Sequence, residues 1–227
     1  MNKEVNKQSE LQQNENFLVR IINAYRTNEK VVNITTGAVL VLVVVILGYF
    51  LWWSPKRQAK AELAIYKAEQ YFAIDSTALA LNGDGSCVGL IDVIKQYPCT
   101  KTAKRARFMA GACYLKQGQY DEAISYLKKF SSKDKILPGQ ALCMIGDAYM
   151  EKNDISQAAK YYHKASKKNP NDLLTSLYLY RYALACEMQG NWKDAIVAYE
   201  QIQKEYPQSY EATSLVEKRI EYAKTQK

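Results

Sequence analysis

The sequence has little of the chemistry from which catalytic and metal sites are built. It contains one histidine, His163, in 227 residues, so no histidine-based dyad is available elsewhere in the chain, and no Cys or His stands at metal-ligand spacing from it. The five cysteines form no C-x-x-C pair, and no Walker lysine accompanies the glycines of LNGDGS. Val93 occupies the position where an EF-hand loop beginning at Asn82 needs a bidentate glutamate. We therefore expect no catalytic residues, no cofactor, no metal ion and no enzyme activity.

Cysteines placed for disulfide pairing are missing as well. Cys113, Cys143 and Cys186 fall within expected helices, where a small apolar side chain packs well. Cys87 and Cys99 flank one expected helix, whose rise of about 18 Å exceeds what a disulfide can span. We expect the three helical cysteines to be buried and unpaired.

One long uncharged segment lies near the start of the chain. Residues 31–53, VVNITTGAVLVLVVVILGYFLWW, hold no charge over 23 positions, and as a helix they would span roughly 34 Å, enough for a bilayer core. Tyr49, Trp52 and Trp53 cluster at its end, where aromatic rings favour the headgroup boundary. A cleaved signal peptide is the competing interpretation, but 30 residues precede the run and no small-x-small cleavage pattern follows it. We expect an uncleaved transmembrane helix over 31–53.

The segment before this run divides into two parts. Residues 1–16 are polar, whereas Phe17, Leu18, Ile21, Ile22 and Tyr25 recur at helical spacing. This short amphipathic helix either lies on a membrane surface, docks on a partner, or leads into the span. Lys and Arg flank both ends of the span, so the positive-inside rule does not decide the orientation.

After the apolar segment, small residues recur at a fixed register. Gly111, Gly146 and Ala183 lie 35 and 37 residues apart. An alanine follows each of them by twelve residues, and a large apolar or aromatic residue follows each alanine by four. Pro170 and Pro207 then end the second and third units. The pattern indicates three helical hairpins in succession.

This register resembles the tetratricopeptide repeat over most of residues 59–227. The family pattern asks for small residues where two helices cross, a turn between the helices and a proline after the second one. Gly118 and Gly190 fit the turn, and Asn153 replaces the glycine in the middle unit. The resemblance implies an all-α fold in which hairpins stack into a right-handed solenoid with a C-terminal capping helix.

The sequence therefore predicts seven consecutive segments. They are a polar arm with a short amphipathic helix over 1–30, the transmembrane helix over 31–53, a degenerate first repeat over 59–98, three repeats over 104–137, 139–172 and 176–208, and a capping helix over 209–227. In the first repeat, the connection DSTALALNGDGSC is rich in turn signals and is interpreted as such.

The net charge of +8 raises the question of nucleic acid. The cluster KTAKRARF, residues 101–108, is basic, but no nucleic-acid fold signature accompanies it. A solvated face or an acidic peptide partner fits the cluster better, and we expect no nucleic-acid partner.

In the tetratricopeptide family, the first helices of the repeats line a concave groove for peptides or partner helices. Carried over by register, the resemblance places eleven residues on this groove: Arg105, Phe108, Ala112, Lys116, Gln140, Cys143, Asp147, Glu151, Tyr180, Leu184 and Glu187. Phe108, Tyr180 and Leu184 would supply apolar contacts. Arg105 and Lys116 would favour acidic segments. The carboxylate clamp of chaperone-binding repeats is absent, because Phe108 and Ala112 stand where its Lys and Asn would be.

The arm, the span and the basic repeats together resemble the YfgM-type proteins, which are periplasmic tetratricopeptide proteins anchored in the inner membrane beside the Sec translocon. This resemblance implies a chaperone-like module that binds exported clients or translocon subunits. It also implies a cytoplasmic N-terminus, a single span that contacts lipid, and repeats in the periplasm. The alternative is a structural subunit of an envelope secretion or outer-membrane assembly complex.

Overall fold

The computed structural model describes residues 19, 29–49 and 53–226, and in these ranges the protein is all α-helical. It divides into two units, residues 1–56 and 57–227. The described part contains twelve helices and no β-strand, apart from an isolated antiparallel bridge between Gly83 and Val88. The helices are α1 (Glu29–Gly48), α2 (Ser54–Ala73), α3 (Thr77–Asn82), α4 (Leu90–Gln96), α5 (Lys101–Lys116), α6 (Tyr120–Lys128), α7 (Leu137–Glu151), α8 (Ile155–Lys167), α9 (Thr175–Met188), α10 (Trp192–Glu205), α11 (Tyr210–Ser214) and α12 (Val216–Thr225).

The first unit is described mainly by α1, which covers much of the uncharged segment. Within the described ranges, no helix combines the length and the apolar character that crossing a membrane requires. Residues 50–52 of the expected transmembrane helix lie outside the described residues, and so does the expected amphipathic helix over 17–25 except for Val19. The transmembrane expectation is therefore not confirmed and stays a prediction.

The second unit is built from helical hairpins, whose turns match the predicted ones. Gly118, Asn153 and Gly190 have φ values of 74°, 60° and 71°, in the left-handed region that glycine and asparagine tolerate best. The next helix then starts from a capped residue in two cases. The side chains of Asp154 and Asn191 accept hydrogen bonds from the backbone N–H groups of Gln157 and Asp194, which satisfies a donor at the helix start. The predicted turn chemistry is confirmed.

The helices of each hairpin cross where the register places a small residue. A Cβ atom at Gly146 would lie 2.6 Å from Cε1 of Tyr162, and one at Gly111 would lie 2.5 Å from Cγ of Leu127. Both distances are shorter than a van der Waals contact, so a side chain at either position would force the facing side chain or the helices to shift. Ala123, Ala158 and Ala195 are fully buried on the second helices. The predicted crossings are confirmed.

Two stretches differ from the expected elements. The stretch interpreted as turns in the first repeat contains α3 before the turn at Gly83, and Asp84 organises the rest of the loop. Its carboxylate accepts hydrogen bonds from the Tyr71 hydroxyl at 2.6 Å and from the backbone N–H of Cys87 at 2.8 Å. The expected single C-terminal helix is divided at Leu215 into α11 and α12.

The core of the second unit is formed by buried alanines, aromatic residues and thiols. Cys113, Cys143 and Cys186 are buried and unpaired as expected, whereas Cys99 is exposed and Cys87 is half-buried. Tyr199 and Ile65 are among the largest fully enclosed side chains. Tyr114 stacks on Tyr126 at 5.3 Å between ring centroids. The equivalent pair in the next hairpin, Tyr149 and Tyr161, stacks at 5.4 Å.

Candidate functional site

The first helices of the hairpins, α5, α7 and α9, contain all eleven residues predicted to line a groove, and their outer sides form one surface. Four of them lie on α5, four on α7 and three on α9. We call this surface the first-helix surface. Its members differ in exposure: Gln140 and Glu151 are exposed, Leu184 is half-buried, and Ala112 and Cys143 are buried. Because Ala112 and Cys143 are buried, their side chains are not accessible to a partner.

The basic residues at the N-terminal end of this surface already have partners within the chain. Nη2 of Arg105 lies 2.7 Å from Oε2 of Glu62, and its Nε lies 2.6 Å from Oε1 of Glu69, both on α2. Nζ of Lys116 lies 2.5 Å from Oδ1 of Asp75. The predicted attraction of Arg105 and Lys116 for an acidic partner must therefore compete with these internal ion pairs.

Asp147 joins three helices in the middle of the first-helix surface. Its Oδ1 accepts a hydrogen bond at 2.8 Å from the hydroxyl of Tyr162, on the second helix of the same hairpin. The same oxygen forms an ion pair with Arg181 on α9. Nη1 of Arg181 also lies 3.5 Å from Sγ of Cys143. Burial, with a smaller effect of Asp147, raises the pKa of the Cys143 thiol to about 12, so this thiol stays protonated at neutral pH.

Glu187 makes the same kind of connection one repeat later. It accepts a hydrogen bond at 2.9 Å from the Tyr199 hydroxyl, and its other oxygen lies 2.9 Å from Nη1 of Arg219 on α12. The ring of Tyr180 lies 5.9 Å from that of Tyr199. We call each such carboxylate, with its tyrosine from the same hairpin and its arginine from α9 or α12, a carboxylate bridge. Charge-assisted hydrogen bonds of this kind fix neighbouring helices in one geometry.

Two cavities open along the first-helix surface, and predicted residues line both. A cavity of about 560 Å³ contains Asp147 and Glu151 in its lining, which is completed by Leu115, Tyr120, Met150, Tyr162 and Arg181. A second cavity, of about 500 Å³, contains Arg105 and Phe108. Both volumes fall in the range typical of ligand pockets, about 300–1,000 Å³. The structure thus brings together Asp147 with Glu151 and Arg105 with Phe108, whereas Gln140, Tyr180, Leu184 and Glu187 line neither cavity.

Several residues on this surface or beside it were absent from the sequence-based prediction. Arg181 and Arg219 complete the carboxylate bridges, and Lys101, Lys104, Phe130 and Lys133 line the second cavity. A signal for the arginines was present, because Arg181 follows Asp147 by 34 residues and Arg219 follows Glu187 by 32. Opposite charges one repeat length apart are placed on neighbouring first helices.

No arrangement for catalysis or metal binding stands out in the part of the chain that the structure describes. No group of three or more His, Cys, Asp or Glu side chains that could hold a metal ion occurs there. Nδ1 of His163 is buried and makes no hydrogen bond within the described residues. Burial, followed by the charge of Lys167, lowers the pKa of this imidazole, so His163 is neutral at physiological pH.

Comparison with known proteins detects tetratricopeptide repeats in the second unit. Two models of the tetratricopeptide repeat match residues 105–134 and 143–210. Superkiller complex protein 3 of Homo sapiens is 27% identical over 145 residues, which are 63% of this chain and 9% of that protein. Tetratricopeptide repeat protein 37 of Xenopus laevis is 31% identical over 103 residues, 44% of this chain and 6% of that protein. The chain thus spans under a tenth of the length of these relatives, and the repeats indicate a protein–protein interaction module.

Proposed function

We propose that this protein binds polypeptide segments on its first-helix surface, close to a membrane, and acts without turnover chemistry. The observation that supports this most directly is the pair of cavities along α5, α7 and α9, of about 500 and 560 Å³. Helical repeats commonly present extended surfaces of this kind to peptides and partner helices. The bound segments in this proposal are exported clients or translocon subunits.

The exposed side chains of α1 support the membrane part of the proposal. Val39, Leu42 and Val45 are 60–64% exposed, and the apolar residues between them are exposed as well, although water-soluble proteins rarely expose a large contiguous apolar patch. At the end of the same segment, the rings of Tyr49 and Trp53 lie 5.3 Å apart, and aromatic pairs of this kind favour the membrane interface. We propose that residues 31–53 anchor the chain in an inner membrane, with the N-terminus in the cytoplasm and the repeats in the periplasm.

Site-specific photocrosslinking in cells tests the binding surface. A photoreactive residue at Gln140 or Glu151, both exposed on α7, should capture exported chains or translocon subunits. The same residue at Lys160 on α8 or Gln203 on α10, which are equally exposed on second helices, should not. Equal capture at all four positions would overturn the proposal for the first-helix surface. That result would favour the alternative function, a structural subunit of an envelope secretion or assembly complex that uses several faces.

The exposed thiol of Cys99 provides a test of the topology without a new residue. In a Cys87→Ser background, a membrane-impermeant maleimide should label Cys99 in intact spheroplasts, because the remaining thiols are buried. Labelling that appears only after lysis would place the repeats in the cytosol and end the translocon proposal. A variant lacking residues 31–53 should leave the membrane fraction, and its retention there would contradict the anchor.

A further inference from the structure

A basic and aromatic cavity lies where the hairpin α5–α6 meets α7. It has a volume of about 500 Å³, and we call it the junction pocket. Four lining residues come from α5, five from the loop after α6, and one from the start of α7. They are Lys101, Lys104, Arg105, Phe108, Phe130, Ser131, Ser132, Lys133, Asp134 and Leu137.

The pocket exists because α6 ends early. It has nine residues, whereas the corresponding second helices α8 and α10 have 13 and 14. By the register of Ala123 and Ala158, the missing turn is residues 129–132, KFSS, whose two serines favour turns over a helix interior because their hydroxyls compete for backbone hydrogen bonds. Asp134 fixes the resulting loop, because its Oδ1 accepts hydrogen bonds from the backbone N–H groups of Ile136 at 2.7 Å and Leu137 at 2.8 Å.

The floor of the junction pocket is apolar. The rings of Phe108 and Phe130 lie 5.2 Å apart and are tilted by 52°, and both side chains are only partly buried. Phe130 also lines a neighbouring cavity of about 410 Å³, so its ring has space on two sides. A large apolar side chain entering the pocket would therefore gain contact area without displacing the core.

The rim carries three lysines that form no ion pair with the rest of the described chain. Lys101, Lys104 and Lys133 are exposed, and within residues 29–49 and 53–226 none of them forms an ion pair. Arg105 differs, because Glu62 and Glu69 already pair with it. Asp134 is the one carboxylate in the lining, and its Oδ1 is engaged by the loop backbone. The available charge at the pocket is positive.

We infer that the junction pocket binds an acidic peptide segment that carries one large apolar side chain. This inference rests on the proposed polypeptide-binding function and names the chemistry of the ligand at one place on the first-helix surface. The carboxylates of the segment pair with Lys101, Lys104 and Lys133, while its apolar side chain packs on Phe108 and Phe130. Nucleic acid fits less well, because the two tilted rings offer no flat platform on which bases stack.

Fluorescence anisotropy with the full-length protein in detergent micelles tests this inference. The probe is a labelled peptide, Asp-Glu-Phe-Asp-Glu, compared with Asp-Glu-Ala-Asp-Glu and with Lys-Lys-Phe-Lys-Lys. The first peptide should bind best, and the double variant Lys101→Gln, Lys104→Gln should weaken its binding by about tenfold. A matched double variant, Lys204→Gln with Lys218→Gln, removes the same charge from exposed positions on α10 and α12 and should leave binding unchanged.

A second variant separates the apolar contact from the charge. Phe130→Leu should weaken binding of the phenylalanine peptide by about fivefold, while binding of the alanine peptide should hardly change. The inference is overturned if the matched lysine variant weakens binding equally, or if the alanine peptide binds as well as the phenylalanine peptide. Competition by an oligothymidylate as effective as that by the unlabelled peptide would also overturn it and would indicate a general anion site.

The outcome of this experiment is distinguishable from that of the crosslinking experiment. Capture of proteins at Gln140 and Glu151 together with no discrimination among the peptides would refute the junction pocket alone. Discrimination among the peptides together with equal capture at all four crosslinking positions would refute the proposed first-helix function and retain the pocket as a peptide site.

Discussion

The junctions between successive hairpins are held together in two different ways. Between α7 and α9, and between α9 and α12, a carboxylate bridge ties each first helix to the next through Arg181 or Arg219. Between α5 and α7 no hydrogen bond or ion pair joins the two first helices in the described part of the chain, and the junction pocket lies there instead. The polar contacts at that junction are made by α6 instead. One of them is the ion pair of Asp121 on α6 with Lys152, which directly follows α7.

The difference shows how one repeat architecture combines fixed and accessible junctions. In a carboxylate bridge the polar groups are already paired with one another, because the tyrosine and the arginine both contact the carboxylate. The α5–α7 junction instead leaves lysines and two phenylalanine rings accessible to a ligand. We infer that the bridged junctions set the geometry of the solenoid. The α5–α7 junction instead leaves charged and aromatic side chains available to bind a ligand.

The hairpins on either side of the open junction both have a glycine at their internal crossing, Gly111 and Gly146. Gly111→Leu and Gly146→Leu should each destabilise the protein by more than about 2 kcal/mol, because neither crossing has room for a side chain. Thermal or denaturant unfolding measures both effects. Gln140→Leu, which adds the same side chain at an exposed position of α7, should change stability by less than about 0.5 kcal/mol. If only one of the two glycine variants kept the stability of the wild-type protein, the helices of the two hairpins would not cross in the same way.

Double-mutant cycles measure the strength of a carboxylate bridge against that of an exposed ion pair. We expect a coupling energy of about 1 kcal/mol between Asp147→Asn and Arg181→Gln, because these side chains are partly buried and share a hydrogen-bond network. For Asp75→Asn and Lys116→Gln, whose side chains are 66% and 55% exposed, the coupling should stay below about 0.5 kcal/mol. Asparagine suits position 75, where φ is 61°. Equal couplings would show that the bridge has no special strength.

The hairpins could be predicted from the sequence because their determinants are local. Gly118, Asn153 and Gly190 fix turns through their own backbone preferences, and Gly146 marks a crossing through its missing side chain. The carboxylate bridges depend on which side chains meet across a whole repeat, so Arg181 and Arg219 went unnoticed. Arg105 was expected to be free for a partner because the degenerate first repeat gave no register for Glu62 and Glu69. The helix α3 was not predicted, because the glycines that follow it indicate turns.

The α2–α5 junction is an intermediate case, since Arg105 pairs with carboxylates of the preceding first helix but at an exposed place. Partial desolvation alone would raise the pKa of Glu62, yet hydrogen bonds from Arg105 and Thr102 outweigh it and lower the pKa below the usual value of 4.5. Glu62 therefore stabilises the folded state above its unfolded pKa, and this contribution is lost as the pH falls through the lower folded pKa.

The smallest expected effect is thus a pH-dependent one. Because the Glu62 side chain is 43% exposed, Glu62→Gln should lower Tm by only about 1–2 °C at pH 7. The difference from wild type should shrink towards zero as the pH is lowered to 3, since protonation then removes the same charge from the wild-type protein. Glu200→Gln, at an exposed carboxylate in the middle of α10 that forms no ion pair in the described residues, should leave Tm unchanged at both pH values. A Tm difference for Glu62→Gln that stays constant from pH 7 to pH 3 would mean that the charge of Glu62 does not stabilise the α2–α5 junction, and only the bridged junctions would then depend on ion pairs.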